Sequence, residues 1–199
     1  MSNSPPAASA VHGSSRHGTY VDADGTPLRA DRAPGFAVRA LLFLLIFAAL
    51  LFAWNASRGG AIERWVIDDV TVRPAAWLVN LLTPEVQAYA RGTTLAAPGG
   101  GLNILNGCEG IDALFLLVTA FLVAPFALRD RIPGLLLGVA LLYVVNQARI
   151  LLLFYAWRRD PALFAALHGS VMPIVVVLAV AGWFYGWLRS FPPRPAAAA

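Results

Sequence analysis

Three side chains of the sequence together have the chemistry of acyl transfer. Cys108 is the only cysteine and lies in the stretch NGCEGIDALFLLV, where a polar, glycine-rich loop becomes an apolar run. Arg149 interrupts the apolar run VALLYVVNQARILLLFYAW, and His168 lies in RRDPALFAALHGS, just before the last apolar run. In such a trio a thiolate attacks a peptide carbonyl, an imidazole carries the proton to the leaving amine, and a guanidinium stabilises the oxyanion or positions the thiolate.

Each of these residues also has a purely structural interpretation. Free cysteine is among the most buried residue types, although the start of a helix flanked by glycines favours the thiolate at Cys108. His168 can simply begin the last helix. Placing the charged side chain of Arg149 at this depth in the membrane costs about 2.5 kcal/mol of free energy or more. The cost is lower if the guanidinium is partnered, for example by Asp112, or lines a wet cavity. Glu109 and Asp112 have two interpretations. They form a paired-carboxylate site, or they are separate carboxylates that the helix dipole stabilises and that pair with arginine.

The composition indicates a membrane protein. Of the 199 residues, 58% are hydrophobic and 13% are charged, and the mean hydropathy is +0.65, well outside ordinary soluble usage. The net charge of +4 is spread thinly beside apolar runs, so we do not expect nucleic acid as a partner. One cysteine excludes an intramolecular disulfide, and His12 and His17 lack the further ligands that a metal site needs, so no metal or other cofactor is expected.

Four apolar runs predict an all-α polytopic membrane protein with about four transmembrane helices in the lipid bilayer. The predicted spans are residues 36–54, 111–128, 132–157 and 171–188. The last three are separated by a tight Arg-Asp-Arg loop at residues 129–131 and by the segment 158–170.

Two smaller elements are predicted on the extracytoplasmic side, between the first two spans. The apolar side chains of residues 61–82 fall on one helical face with charges opposite, which predicts an interfacial amphipathic helix. These side chains are Ile62, Trp65, Val66 and Val70. Residues 84–107 show partial alternation broken by a Pro-Gly-Gly-Gly turn, which predicts a small hairpin or ordered loop that leads to Cys108.

The distribution of arginine predicts the orientation of the chain. Residues 1–34 have too few large apolar side chains to fold and are predicted to be a disordered cytoplasmic tail, while residues 191–199 form a second, short cytoplasmic tail. Arginines lie before the first span, in the loop at 129–131 and after the last span, so the positive-inside rule places these segments in the cytoplasm. Cys108 then faces the extracytoplasmic side.

Counting depth along the helices brings the reactive side chains together. Steps of about 1.5 Å per residue along straight antiparallel helices place Cys108 level with His168 near the outer face. Arg149 and Asp112 lie roughly 6 Å deeper, where an extended guanidinium reaches the thiol. Asn146 follows one turn deeper on the same helical face as Arg149.

The order of these residues resembles the exosortase and archaeosortase family of membrane cysteine transpeptidases. The resemblance covers roughly residues 36–189 and rests on NGCEG opening one span, NQARI inside the next and His168 at the head of the last. It implies a transmembrane exosortase-like domain at residues 35–190. Cys108 is then the nucleophile, Arg149 the transition-state arginine and His168 the general acid or base. The supporting residues are Asn146, Asp112 and Glu109.

The resemblance implies a protease or transpeptidase of the bacterial inner membrane with an extracytoplasmic active site. Its partner is a membrane-anchored protein with a C-terminal sorting signal, built from a short motif, a transmembrane helix and a basic cluster as in PEP-CTERM proteins. Cleavage passes through a cysteine thioester that an amine or water resolves. The chain departs from the family at Glu109, where Ser or Asn is common, and in its smaller number of spans.

Two alternatives come from other functional classes. The first is a non-enzymatic membrane scaffold or accessory subunit, in which Arg149 and Asp112 form a structural pair and the thiol is incidental. The second is a small transporter that binds an anion through the intramembrane arginine. The sequence does not favour a transporter, because it shows neither an internal repeat nor paired broken helices.

Overall fold

The computed structural model describes residues 35–104 and 108–191. The first predicted tail and residues 192–199 of the second lie outside these residues, as do Asn106 and Gly107 of the loop before Cys108. The described chain is mainly helical, with seven α-helical stretches among these residues. They are α1 (Phe36–Ala56), α2 (Ala61–Arg64), α3 (Arg73–Leu82), α4 (Ile111–Val123), α5 (Leu128–Arg159), α6 (Pro161–Ala166) and α7 (Met172–Ser190).

Three helical stretches are long and apolar enough to cross a membrane: Phe36–Ala56, Leu128–Arg159 and Pro161–Ser190. The fourth apolar helix, α4, has 13 residues. At about 1.5 Å per residue it is roughly 20 Å long, short of the roughly 30 Å of a hydrocarbon core. The predicted all-α polytopic membrane fold of about four helices is therefore confirmed, with α4 shorter than the other three.

The turn between α4 and α5 lies earlier than predicted. The second span was expected to run to Leu128, but α4 ends at Val123 because Ala124 precedes a proline and adopts an extended conformation (φ −65°, ψ 142°). The Arg-Asp-Arg segment is not a loop; it forms the first turn of α5. From there Arg131 donates to the carbonyls of Ala124, at 3.0 Å, and Phe126, at 3.3 Å, across the turn.

The segment before the last span is helical and is not a connecting loop. Asp160 caps α6, since its side chain accepts from the backbone N–H of Ala162 at 2.8 Å, and Pro161 occupies the first helical position. The helical stretch then continues to Ser190. His168 therefore lies inside this stretch, more than a turn after its start, and not at its head.

Two π-helical segments, Trp65–Val72 and Leu167–Val171, each end two residues before a proline, Pro74 and Pro173. Proline has no N–H for the carbonyl four residues earlier, and its ring crowds that carbonyl, so the helix widens there. The carbonyl four residues before Pro74 belongs to Val70, and it accepts from the Tyr143 hydroxyl at 3.0 Å. Side chains of α5 thus hold the first π-helical segment in place.

The segment 61–82 is helical as predicted, through α2, the first π-helical segment and α3. On the predicted apolar face, Ile62 and Trp65 remain 63% and 61% exposed, whereas Val66 and Val70 are half-buried, so this face is only partly covered by the described protein. The opposite side is buried and includes Ile67, Val72 and Val79. Exposed apolar side chains of this kind are what an interfacial helix presents to lipid.

The predicted hairpin is a three-stranded antiparallel sheet with the order β1 (Tyr89–Arg91), β2 (Thr94–Ala97) and β3 (Gly100–Asn103). Leu95 pairs with Leu102, and both side chains are buried against the helices. The sheet closes over one end of α5, where the ring of Trp157 lies 2.6 Å from the position that a Cβ on Gly100 would take. This close approach requires glycine.

Two apolar clusters form the core. One lies beneath the sheet, combines α3, α5 and the first π-helical segment, and includes Cys108. The other joins α4, α5 and α7 at the opposite end. In the second cluster, Gly134 and Gly138 of α5 let the rings of Trp187 and Trp183 approach the helix backbone. The reactive residues thus lie at the sheet end of the helices.

Candidate active site

The turn that carries the thiol is held by α5. Gly110, the residue before α4, has a φ of +78°, a left-handed conformation that favours glycine. A Cβ at this position would also come 2.8 Å from Oδ1 of Asn146. The Nδ2 of Asn146 donates to the carbonyl of Glu109 at 3.2 Å. Asn146, predicted as a supporting residue, therefore fixes the backbone directly after Cys108.

The structure brings Cys108, His168 and Arg149 together. The Sγ of Cys108 lies 3.4 Å from Nδ1 of His168, and Nη2 of Arg149 lies 4.0 Å from the same sulfur. Cys108 is 2% exposed and Arg149 is 6% exposed. The proximity predicted by depth counting is confirmed for these three side chains.

His168 is oriented by its own helix. Its ring stacks on that of Phe164, one turn earlier, with centroids 5.3 Å apart and an interplanar angle of 9°. The second π-helical segment begins one residue before His168. π-Helical turns are rare and are frequent at functional sites. The widened turn and the stacked ring together direct Nδ1 towards the thiol.

Arg149 does not form the ion pair with Asp112 that was its structural alternative, in the part of the chain that the structure describes. Its Nε is buried and has no hydrogen-bond partner among the described residues. Both side chains line a cavity beside the thiol. The guanidinium is therefore directed at the sulfur and keeps donor capacity for a further group.

Burial sets the protonation state of the thiol, which lies outside the spanning helices. Loss of solvent raises the pKa of Cys108, the charge of Arg149 lowers it, and the charge of Glu109 raises it again. The net effect raises the pKa, so the thiol is neutral at rest. Burial therefore opposes the effect expected of the helix start, which favours the thiolate.

Most of the chain is similar to a known protein family. The chain matches the family model of the transmembrane exosortases (Exosortase_EpsH) over residues 29–186. The chain belongs to the transmembrane exosortase family. No curated protein and no solved structure matches the chain. All three convergent side chains lie within the matched exosortase segment.

Sequence reasoning missed Gln147 as part of the framework of this exosortase. Gln147 is 5% exposed, and its Nε2 lies 3.4 Å from the carbonyl of Thr71 and 3.5 Å from that of Val70. It therefore ties the first π-helical segment to the part of α5 that carries Arg149. The sequence contained a signal for this role, because Gln147 is a polar side chain within an apolar run and such side chains need hydrogen-bond partners.

The described residues of this exosortase bring together no group of three or more His, Cys, Asp or Glu side chains that would hold a metal ion. The side chains that do converge are a thiol, an imidazole and a guanidinium. A set of this kind is suited to acyl transfer.

Proposed function

We propose that this exosortase is a membrane cysteine transpeptidase that cleaves the C-terminal sorting signals of membrane-tethered exported proteins. The observation that carries the proposal is the 3.4 Å contact between Sγ of Cys108 and Nδ1 of His168, with Arg149 4.0 Å from the sulfur. The substrate is a protein that ends in a short motif, a transmembrane helix and a basic cluster. Cleavage occurs just outside that helix.

The reaction begins with proton transfer from the neutral thiol of Cys108 to Nδ1 of His168. The thiolate attacks the peptide carbonyl, and Arg149 stabilises the oxyanion, for which its Nε is available because it has no hydrogen-bond partner among the described residues. The imidazolium returns the proton to the leaving amine as the peptide C–N bond breaks. The N-terminal part of the substrate remains on Cys108 as a thioester, which an amine or water then resolves.

The proposed location is the bacterial inner membrane, with the thiol on the extracytoplasmic side. Arg129, Arg131 and Arg189 lie at the ends of α5 and α7 that face the turn at residues 124–127. The thiol and the sheet lie at the other end of α5. The positive-inside rule therefore supports an extracytoplasmic site.

Intact mass spectrometry of the protein purified after co-expression with a candidate substrate tests the proposal. A suitable candidate is a protein encoded beside it that ends in an apolar helix and an arginine cluster. We expect a hydroxylamine-labile adduct, carrying the substrate's N-terminal part, on the wild type and none on Cys108→Ala. Arg149→Ala should slow processing about 100-fold or more, as removal of an oxyanion donor does.

Arg159→Ala is the matched control, because Arg159 is an exposed arginine further along the same helix, and it should process substrate as the wild type does. Equal accumulation of processed substrate with Cys108→Ala would contradict the proposal. The non-enzymatic scaffold would then be the better description of the chain.

A further inference from the structure

A cavity beside the thiol has no role in the chemistry proposed above. Its volume is about 350 Å³, and it lies between α1, α4, α5 and α7. Most of its wall is apolar and includes Phe47 of α1, Leu116 of α4 and Val177 of α7. Two charged side chains, Asp112 and Arg149, also line it. An occupant of this cavity must therefore contact an apolar wall and also provide partners for two charged side chains at membrane depth.

Arg149 connects this cavity to the reacting sulfur. Its Nη2 lies 4.0 Å from Sγ of Cys108, and Arg149 also lines the cavity. Gly110, two residues after the thiol, lines it as well. The cavity therefore adjoins the position at which the sulfur attacks. A peptide whose scissile carbonyl lies at the sulfur extends directly into the cavity.

Asp112 gives the cavity a defined polarity. It lies in the first turn of α4, four residues after the thiol, its side chain is exposed, and it does not pair with Arg149. An ionised carboxylate is an acceptor only, so it requires hydrogen-bond donors or positive charge. Among apolar walls, such a group favours an occupant with several unsatisfied donors.

The start of a transmembrane helix is such an occupant. The first four N–H groups of a helix have no intrahelical partner, and they form the positive end of the helix dipole. At membrane depth each unsatisfied N–H is costly. A substrate cleaved just outside its own helix must present these groups directly after the scissile bond. The next turns of that helix are apolar.

We propose that this cavity binds the first turns of the substrate's transmembrane helix, with Asp112 accepting hydrogen bonds from its free N–H groups. The apolar wall contacts the side chains of the helix, and Arg149 holds the carbonyl at the thiol. This inference rests on the proposed function and adds the part of the substrate that the enzyme recognises. Asp112 is thereby a substrate-binding residue and not the partner of an arginine.

A second cavity provides the alternative location. It has a volume of about 220 Å³ and lies between the first π-helical segment, α4 and α5, where Trp65, Leu114 and Tyr143 line it. Neither Asp112 nor Arg149 belongs to its wall. Leu114 and Leu116 are two residues apart in α4 and so point to opposite sides of the helix. A probe at Leu116 therefore detects an occupant of the first cavity, and a probe at Leu114 detects an occupant of the second.

Disulfide cross-linking distinguishes the two cavities. Because the chain has a single cysteine, Cys108→Ala gives a cysteine-free enzyme that binds substrate without cleaving it. Leu116→Cys or Leu114→Cys is added to this background. The probe is the co-expressed substrate with one cysteine moved through the first two turns of its transmembrane helix. We expect cross-links from Leu116→Cys, repeating every three to four substrate positions, and none from Leu114→Cys.

Wild-type enzyme assayed in parallel separates the two proposals. Normal processing together with cross-links from Leu114→Cys alone, or from neither position, would overturn the cavity assignment and leave the proposed function intact. Absence of processing by the wild type would overturn the proposed function and the cavity assignment with it.

Kinetics test the contact with Asp112. Asp112→Ala should raise KM for the membrane-anchored substrate roughly fivefold, the effect of losing a helix cap, with a smaller change in kcat. Asp112→Asn keeps a hydrogen-bond acceptor, so its KM should lie between those of the wild type and Asp112→Ala. A substrate that carries its own Asp or Ser at the helix start should be processed equally by wild type and Asp112→Ala. A persistent defect with that substrate would contradict the contact.

Discussion

Burial raises the pKa of the Cys108 thiol most, and the charges around it modify the pH at which its sulfur reacts. Because Glu109 raises the pKa of the Cys108 thiol and Arg149 lowers it, neutralising each should move the pH dependence in opposite directions. Glu109→Gln should shift the pH profile of iodoacetamide alkylation to lower pH, and Arg149→Gln should shift it to higher pH. Mass spectrometry of the single cysteine measures both profiles.

Glu85→Gln is the control for this pair, since Glu85 is an exposed carboxylate in the 3-10 turn that precedes the sheet. It should leave the alkylation profile unchanged. Shifts of the same sign for Glu109→Gln and Arg149→Gln would show that a general change of structure, and not local charge, controls the thiol.

Sequence reasoning predicted that these residues lie together, but it did not predict how burial affects the ionisation of Cys108. Cys108, Arg149 and His168 were placed together because rigid helices rise by a constant amount per residue, so depth follows from counting. Protonation depends on how much solvent reaches the sulfur. The sheet and α3 contribute to the cluster that encloses the sulfur, and their packing is not visible in a list of residue types.

At the scale of the element, the widened turn around His168 is a feature that a single substitution can test. Pro173→Ala restores the missing N–H donor and lets the helix regain its regular ladder, which would rotate His168 by up to about 100°, the angle of one residue. Processing should fall at least about tenfold if this moves Nδ1 by an ångström or more. The substrate-processing assay measures this fall.

Pro74→Ala is the matched control, because it makes the same change after the other π-helical segment, which carries none of the three proposed catalytic side chains. Thermal unfolding of both variants verifies that they fold. Wild-type processing by Pro173→Ala would show that the proline does not determine the position of His168.

The glycines of α5 and α7 provide a second test at this scale. A Cβ on Gly138 would lie 2.6 Å from Nε1 of Trp183, whereas one on Gly186 meets nothing within 4 Å. Gly138→Ala should therefore destabilise the protein by about 1–3 kcal/mol through overpacking, and Gly186→Ala should have little effect. Thermal unfolding in detergent measures the stability of both variants relative to the wild type. Equal stability would contradict the close packing of α5 against α7.

The helix boundaries show where sequence patterns are weak. Apolar length predicted α1 and most of α5 well, since both are long and little interrupted. The turn at residues 124–127 was missed because its residues are mostly apolar, while the charged segment after it looked like a loop. In the structure Pro125 ends one helix, and the charged residues begin the next, where Asp130 lies in the first turn.

At the scale of the whole molecule, the two ends of the helices should be accessible from opposite sides of the membrane. In a Cys108→Ala background, Arg91→Cys lies on the sheet and Ser190→Cys lies at the end of α7, and both positions are exposed. A membrane-impermeant maleimide should label the first in intact spheroplasts and the second only after permeabilisation. The reverse pattern would place the thiol in the cytoplasm.

The burial of Cys108 has a consequence for the fate of the proposed thioester. The residue is 2% exposed, so little bulk water reaches its sulfur. We therefore expect hydrolysis of a thioester on Cys108 to be slow, whereas an acceptor amine bound beside the sulfur reacts at a high local concentration. The enclosure of the thiol thus favours transfer of the substrate over its release.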